Sequence, residues 1–504
     1  MDPTGGPTPD SVSGFYPSLA SPAAAARART APVRAPLRGP AGERAPAGGG
    51  GEARGATGGG EARGATGGGG EARGAAVGGQ VASSARRPAR PAVTELRLSA
   101  FATHRAAVHP LGPVTLFTGA SGSGKSSALR AYEALARLGA GEDLATAFPD
   151  AVACVPERAR PDAEGRRGFR IGCTVDGPAG PVRLDLAVQA EPTLRIVGER
   201  LTCRGRTLLT TALRDPGRST VQAEWHTAGT TPVTRAPFPD DLLGTALLPL
   251  RVAGKTPGQL EVLAAAEQVV VALRSVFPCD PRPARMRGPV PIGEGRLRRG
   301  CDNLAEVLHR TAAECARRHA RLVAAANAGC AGVVTGLRAE ELPDATVRAL
   351  LEREPGGATR PGPAGSSAWP GRAEWPGRAE WPGGAERAGG AVVPAPRRAS
   401  FATPLGRLGD GELRYLALAL VLLTGPGVLA MDQLGEVPAA MRTLTVLADG
   451  LDRSLDGPQL RALFGLAADI CADGHIRLVG AVGEPAAGHA RETPGVSVVD
   501  LGRE

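Results

Sequence analysis

The chain has 504 residues with 71 Gly, 45 Pro and a formal net charge of +9, which at about 150 residues per domain would make three basic domains. Two segments change that count: residues 1–92 carry eleven Arg against six acids and residues 355–398 carry six Arg against three, and both have too few apolar side chains to offset chain entropy. Roughly 370 nearly neutral residues remain, enough for one elaborated core, and the longest apolar run, residues 415–423, is too short for a membrane-crossing helix.

In chain order, residues 1–92 hold a drifting Gly-Glu-Ala-Arg-Gly-Ala repeat from Gly51, Gly60 and Gly70 and read as flexible linker. The start, Met1-Asp2-Pro3-Thr4, has no basic region followed by an apolar one, so a cytoplasmic chain is expected. Residues 93–98 and 114–118 are short strand-like runs. The second feeds a Gly-rich turn and a helical pattern over 126–138, which Gly139 is expected to stop. Alternating apolar positions from Phe169 to Thr210, with Asp176-Gly177-Pro178 as a turn, predict an antiparallel lobe. Helical patterns dominate residues 260–351, most clearly 303–326. Residues 355–398 repeat Trp-Pro-Gly-Arg-Ala-Glu from Trp369, Trp375 and Trp381, too short and too broken a period for a solenoid. They read as linker, or as a partner-binding tract through exposed Trp. Beyond them, 412–423 predicts a buried helix, and 428–431 and 476–482 predict buried strands.

The expected organisation is a disordered tail at 1–92, an N-terminal lobe with a β-rich subdomain at 93–235, and a helical arm or lid at 236–354. A disordered linker at 355–398 and a C-terminal lobe at 399–504 complete an α/β fold.

The strongest motif is Gly119-Ala120-Ser121-Gly122-Ser123-Gly124-Lys125-Ser126, a full G-x-x-x-x-G-K-[ST] phosphate-binding loop between a strand and a helix. Gly119, Gly122 and Gly124 let backbone N–H groups curl around phosphates, with Ser121, Ser123 and Ser127 in the same cradle. The helix start adds a favourable dipole, Lys125 suits the β and γ phosphates, and Ser126 suits Mg²⁺. The motif points to ATP with Mg²⁺ as ligands. Lysine occurs only at Lys125 and Lys255, so this one does not follow from composition, and Arg would not replace its compact ammonium.

Eight cysteines are scattered without a Cys-x-x-Cys pair and read as reduced structural thiols. Residues 281–321 hold ten Arg against Glu294, Asp302, Glu306 and Glu314, the one compact basic stretch. It is either a solvated face or a nucleic-acid contact, and in the second case affinity should fall steeply with salt.

The run Val93-Thr94-Glu95-Leu96-Arg97-Leu98, followed by Leu111-Gly112-Pro113-Val114 and the P-loop, resembles the N-terminal lobe of RecF/SMC-type ATPases of the ABC class, a group that includes predicted AAA-type ATP-binding proteins. Leu408-Gly409-Asp410-Gly411-Glu412 resembles the signature motif, and the apolar run ending in Asp432 resembles a Walker B strand. Arg287-Gly288-Pro289 through Asn303-Leu304-Ala305-Glu306-Val307-Leu308 is similar to a segment common in predicted RecF-like ATPases.

The resemblance implies a P-loop NTPase head of ABC/RecF type, pairing as a homodimer in which the signature loop, through Gly411, closes on ATP bound by a second head. It assigns Asp432 to Mg²⁺ and catalysis, with Gln433 where the family has a catalytic glutamate, Gly409 in place of the signature serine and Val482 in place of the switch histidine. Glu436 is weighed as a substitute base against a solvated loop acid, and Asp449 with Asp452 as a metal pair against a turn and helix cap; the loop acid and the turn and cap are the expected readings.

Two functions follow. One is an ATPase whose heads pair on ATP and hydrolyse it slowly, in DNA maintenance or defence; the loss of a general base costs roughly 10²–10⁴ in rate, although glutamine can orient water. The other is a nucleotide-gated scaffold that binds ATP without useful turnover. A phosphotransferase would leave the signature and Walker B patterns coincidental. No heptad run predicts a long coiled-coil arm.

Overall fold

A computed structural model describes residues 90–228, 232–354, 401–431 and 442–502. The Gly-rich repeat and the Trp repeat lie outside the described residues. β1 (Ala92–Phe101) and β2 (His104–Pro110) form a hairpin, and β3 (Val114–Thr118) leads into α1 (Lys125–Ala140) and α2 (Leu144–Ala147). Six strands follow: β4 (Arg167–Asp176), β5 (Val182–Glu191), β6 (Arg195–Cys203), β7 (Arg206–Ala212), β8 (Thr220–His226) and β9 (Val233–Pro239). Then come α3 (Gly244–Arg251), α4 (Pro257–Arg274), β10 (Val276–Pro278), β11 (Val290–Pro291), α5 (Leu304–Glu314), α6 (Ala316–Gly329), β12 (Val334–Glu341) and β13 (Thr346–Arg353). The last part holds β14 (Phe401–Pro404), α7 (Asp410–Thr424), β15 (Leu444–Ala448), α8 (Gly457–Cys471), β16 (Ile476–Ala481), α9 (Glu484–Arg491) and β17 (Val496–Asp500).

Three sheets organise these elements. The first is antiparallel with order β2-β1-β4-β5-β6-β7-β8-β9, and its alternating Ile171, Cys173, Val175, Leu184, Leu186 and Val188 are buried, as period-2 patterning requires. The second is parallel, β10-β15-β16-β3-β17, and draws on both ends of the chain. Its central strands β15, β16 and β3 are buried at every residue because both faces are covered, whereas the edge strand β17 is partly exposed. Phe117, Leu447 and Val479 enter one core with α1, α4 and the antiparallel sheet; Leu116, Val446 and Leu478 enter the other with α7 and α8. A smaller antiparallel sheet pairs β13 with β11, β12 and β14.

Four local expectations are corrected. Gly139 lies inside α1, and the stop is Gly141, whose φ of 92° lets its N–H reach the carbonyls of Arg137 and Leu138. Gly139 instead admits α4: a β-carbon there would lie 2.6 Å from Leu273 Cβ. The 303–326 helix is broken at Cys315, whose φ of −153° is extended. Residues read as helical after 333 form β12 and β13, because cross-strand pairing outweighs helix propensity. Residues 428–431 are not a sheet strand: a 3₁₀ turn at Pro426–Val428 leads to Leu429, which bridges Leu297.

All eight cysteines are free, and all but the half-buried Cys315 are buried. No described helix is long and apolar enough to cross a membrane.

Candidate functional site

The phosphate-binding loop joins β3 to α1 at the C-terminal edge of the parallel sheet. Gly119, Gly122 and Gly124 have φ of 138°, 83° and 102°, a path open to glycine and strained for other residues. Gly124 is also a contact. A β-carbon there would meet Thr103 Oγ1 at 2.5 Å and His104 Nε2 at 2.6 Å, so the tip of the β1–β2 hairpin rests on the loop. His104 is buried and its Nε2 donates to the Gly124 carbonyl at 3.1 Å. Behind it, His109 and Phe117 continue an edge-to-face column at ring-centre distances of 5.4 and 5.3 Å.

Lys125 Nζ lies over the loop, donating to the carbonyls of Gly119 at 2.7 Å and Ala120 at 2.9 Å. Ser123 Oγ is buried without a hydrogen-bond partner among the described residues, and Gly122 has open space around it. An ammonium, the first N–H groups of α1 and an orphaned hydroxyl beside an open turn fit a polyphosphate. Ser121 and Gly122 are exposed, whereas Ser126 and Ser127 lie on the first turn of α1.

Ser126 Oγ donates to Asp449 Oδ1 at 3.1 Å. Asp449 follows β15 directly, and one strand, β16, separates β15 from the P-loop strand. A hydroxyl and a carboxylate in contact at the loop are oxygen donors of the kind Mg²⁺ takes. Asp432 and Gln433 lie outside the described residues, and the described segment before them is tied to Leu297 rather than to the parallel sheet, through Ala430 N–H to Leu297 O at 2.8 Å. The turn-and-cap reading of Asp449 missed its place beside Ser126. The available signal was the short, largely apolar run Leu444-Thr445-Val446-Leu447-Ala448 followed at once by an acid; in the fold every residue of that run is buried.

The residues after Asp449 are engaged. Gly450 has φ of 56°, and a β-carbon on it would lie 2.9 Å from Arg453 Nη2, so a guanidinium covers the space a side chain would use. Arg414, mostly buried on α7, donates to the Gly450 carbonyl at 3.0 Å and to the Pro281 carbonyl at 2.6 Å; burial, and then the charge of Arg453, push its pKa down. Asp452 Oδ2 accepts from Gly483 N–H at 2.9 Å. Glu484 Oε2 accepts from Thr118 Oγ1 at 3.0 Å and Oε1 from Arg491 at 2.8 Å. These bonds, that of Arg491 first, hold its carboxyl below the usual glutamate range and make it a weaker base. Val482 is buried, its backbone N–H bonded to Phe117 O at 2.9 Å.

The signature-like turn opens α7, with Gly409 N–H donating to Glu412 Oε2 at 3.1 Å. Gly411 packs on the loop after Asp449: a β-carbon there would lie 2.3 Å from the Ser454 carbonyl oxygen. The turn and the acid thus share one loop.

The Arg-rich stretch is largely neutralised. Arg282, Arg287, Arg296, Arg298, Arg299 and Arg310 pair with Asp280, Asp410, Glu294, Asp302, Glu133 and Glu314, so it presents less free charge than its composition promises.

No protein-family model matches the chain, and no curated protein matches it. Among solved structures it is similar to the SMC head domain from Thermotoga maritima, with 12% identity and a TM-score of 0.35 over 80% of this chain and 92% of that one. It is also similar to an Smc head domain with an extended coiled coil, bound to the C-terminal domain of ScpA and derived from Pyrococcus furiosus, with 10% identity and a TM-score of 0.37 over 79% and 92%. A third is an SmcHead bound to the C-winged helix domain of ScpA, with 12% identity and a TM-score of 0.37 over 78% and 90%. Residue roles here rest on this chain's own contacts.

Proposed function

We propose that the chain is an ATP-binding head that pairs with a second copy when nucleotide is bound and turns ATP over slowly. The observation that carries this reading is the contact between Ser126, in a complete phosphate-binding loop, and Asp449. In it, the Gly119–Ser127 backbone groups and Lys125 would hold the phosphates and Ser126 and Asp449 would hold Mg²⁺, which when bound would supply positive charge against the phosphates. Asp449 thereby takes the role that the resemblance implied for Asp432.

Slow turnover is supported by the surroundings of Asp449. The next residue, Gly450, has no side chain, Arg453 occupies the adjoining space, and Asp452 and Glu484 are committed to Gly483 and to Thr118 with Arg491. Forgoing a positioned base costs about 10²–10⁴ in rate, or roughly 3–5 kcal/mol of barrier. The same feature favours a second reading, a nucleotide-gated scaffold in which bound ATP stabilises the paired form by mass action.

Equilibrium binding of ATP with and without Mg²⁺, sedimentation, and phosphate release from the full chain test both. Wild type should bind Mg²⁺-ATP and Lys125→Ala should not. Measurable release that Lys125→Ala loses selects the slow ATPase; binding and pairing with no release above that variant selects the scaffold. Wild type that fails to bind Mg²⁺-ATP removes both.

A further inference from the structure

The turn ahead of α7 is held from outside its own lobe. Arg287, in the segment leading to β11, donates from Nη1 to the Gly406 carbonyl at 2.8 Å and to the Leu408 carbonyl at 2.7 Å, and from Nη2 to Asp410 Oδ1 at 2.5 Å. Its backbone is close as well: a β-carbon on Gly406 would lie 2.5 Å from the Arg287 carbonyl oxygen. Glu412 completes the mounting, its Oε1 accepting from Arg353 on β13 and from Ala331 N–H, both at 2.9 Å. β14, which leads into the turn, is itself paired to β13. The turn is therefore held from the β11–β13 sheet and its connections, while Gly411 at its end also packs on the loop that follows β15 of the parallel sheet.

One planar guanidinium satisfying two carbonyls and a carboxylate fixes orientation in a way a flexible ammonium does not. Stability alone does not call for it, since an ion pair with Arg287 36% and Asp410 59% exposed contributes little. The hydrogen bonds of Arg287 go to Gly406, Leu408 and Asp410, and none of them among the described residues goes to the P-loop.

We propose that Arg287 is a positioning residue for pairing: it holds Leu408, Gly409, Asp410 and Gly411 in the orientation in which this turn closes on the nucleotide bound by a second copy of the chain. This rests on the pairing reading above. The partner is another copy, and Arg287 joins the Glu412–Arg353 contact and the β13–β14 pairing in linking the β11–β13 sheet to this turn.

The test uses the full chain with Mg²⁺ and a slowly hydrolysed ATP analogue. It reads nucleotide affinity at chain concentrations where it is monomeric, and dimerisation by sedimentation. Arg287→Ala should bind nucleotide as wild type does and dimerise at least about tenfold more weakly, the scale of a lost charge-assisted bond. Arg287→Lys should recover only part of the pairing. Mixing Arg287→Ala with Lys125→Ala should restore pairing as a heterodimer, because the P-loop of the first and the turn of the second make one sound composite site.

A merely structural Arg287 would lower nucleotide affinity and pairing together and would not be rescued by mixing, and that result overturns the proposal. Wild-type pairing with Arg287→Ala unaffected removes the role of Arg287 and leaves the pairing reading intact. Wild type that binds nucleotide without pairing removes the pairing reading and the Arg287 role with it.

Discussion

Replacing Asp449 with Asn separates its two jobs. Asn keeps an acceptor for the Ser126 hydroxyl, 3.1 Å from Asp449 Oδ1, so the free protein should lose no more than the roughly 0.5–1.5 kcal/mol of one hydrogen bond. What goes is the negative charge offered to Mg²⁺. Loss of a partner in a metal's shell typically weakens the site about 10- to 100-fold. Nucleotide at 100 times its dissociation constant stabilises the folded chain by about 2.7 kcal/mol. If the constant rises about 30-fold, the same concentration stabilises by only about 0.9 kcal/mol.

Denaturant midpoints with and without Mg²⁺-ATP read this difference directly, and the midpoints without nucleotide check the fold. Asp432→Asn should leave both midpoints at wild-type values. If Asp432→Asn abolishes the Mg²⁺-dependent stabilisation and Asp449→Asn does not, the acid has been placed on the wrong segment.

Three further outcomes are expected. Gly139→Ala should destabilise by about 1–3 kcal/mol in chemical denaturation, because the new methyl meets Leu273 Cβ at 2.6 Å and overpacking exceeds the roughly 1 kcal/mol gained in helix propensity; a stabilised variant would contradict the α1–α4 packing. Gly450→Glu should not raise phosphate release, since a φ of 56° costs about 1 kcal/mol or more for a side chain and Arg453 occupies its space; faster release would show that the site lacks only a base.

The third concerns Glu199, which is buried and bonded to Gly244 N–H and Thr245 N–H, each at 2.7 Å, while burial raises its pKa. With the folded value above the unfolded one, the stability from Glu199 is fully present below the ordinary glutamate pKa and declines as pH rises toward the folded value. The stability of wild type relative to Glu199→Gln should therefore fall with rising pH across that window. A flat or opposite difference in denaturation free energy between pH 4 and 8 would refute it.

Much of the site was legible in local sequence. Gly119 to Ser126 announced itself because a phosphate-binding loop is a contiguous strand, turn and helix, and its glycines, lysine and serine are needed at neighbouring positions. The β4–β5 hairpin was equally readable, since alternation and an Asp-Gly-Pro turn are short-range signals. Asp449 was not, because Ala448-Asp449-Gly450-Leu451-Asp452 has the composition of a turn whether or not a buried strand precedes it. Its meaning depends on β15 lying two strands from β3, a neighbourhood made across more than 300 residues of chain, as is the Ser126 contact.

The sequence by itself determined that a phosphate-binding loop exists, which residues form it, and which segments have too little apolar content for a core. Only the tertiary structure brought Asp449 to Ser126, laid Arg453 against Gly450, and set Arg287 on the turn before α7. Those facts are contacts between segments far apart in the chain, and strand order and packing, rather than any local preference, bring them together.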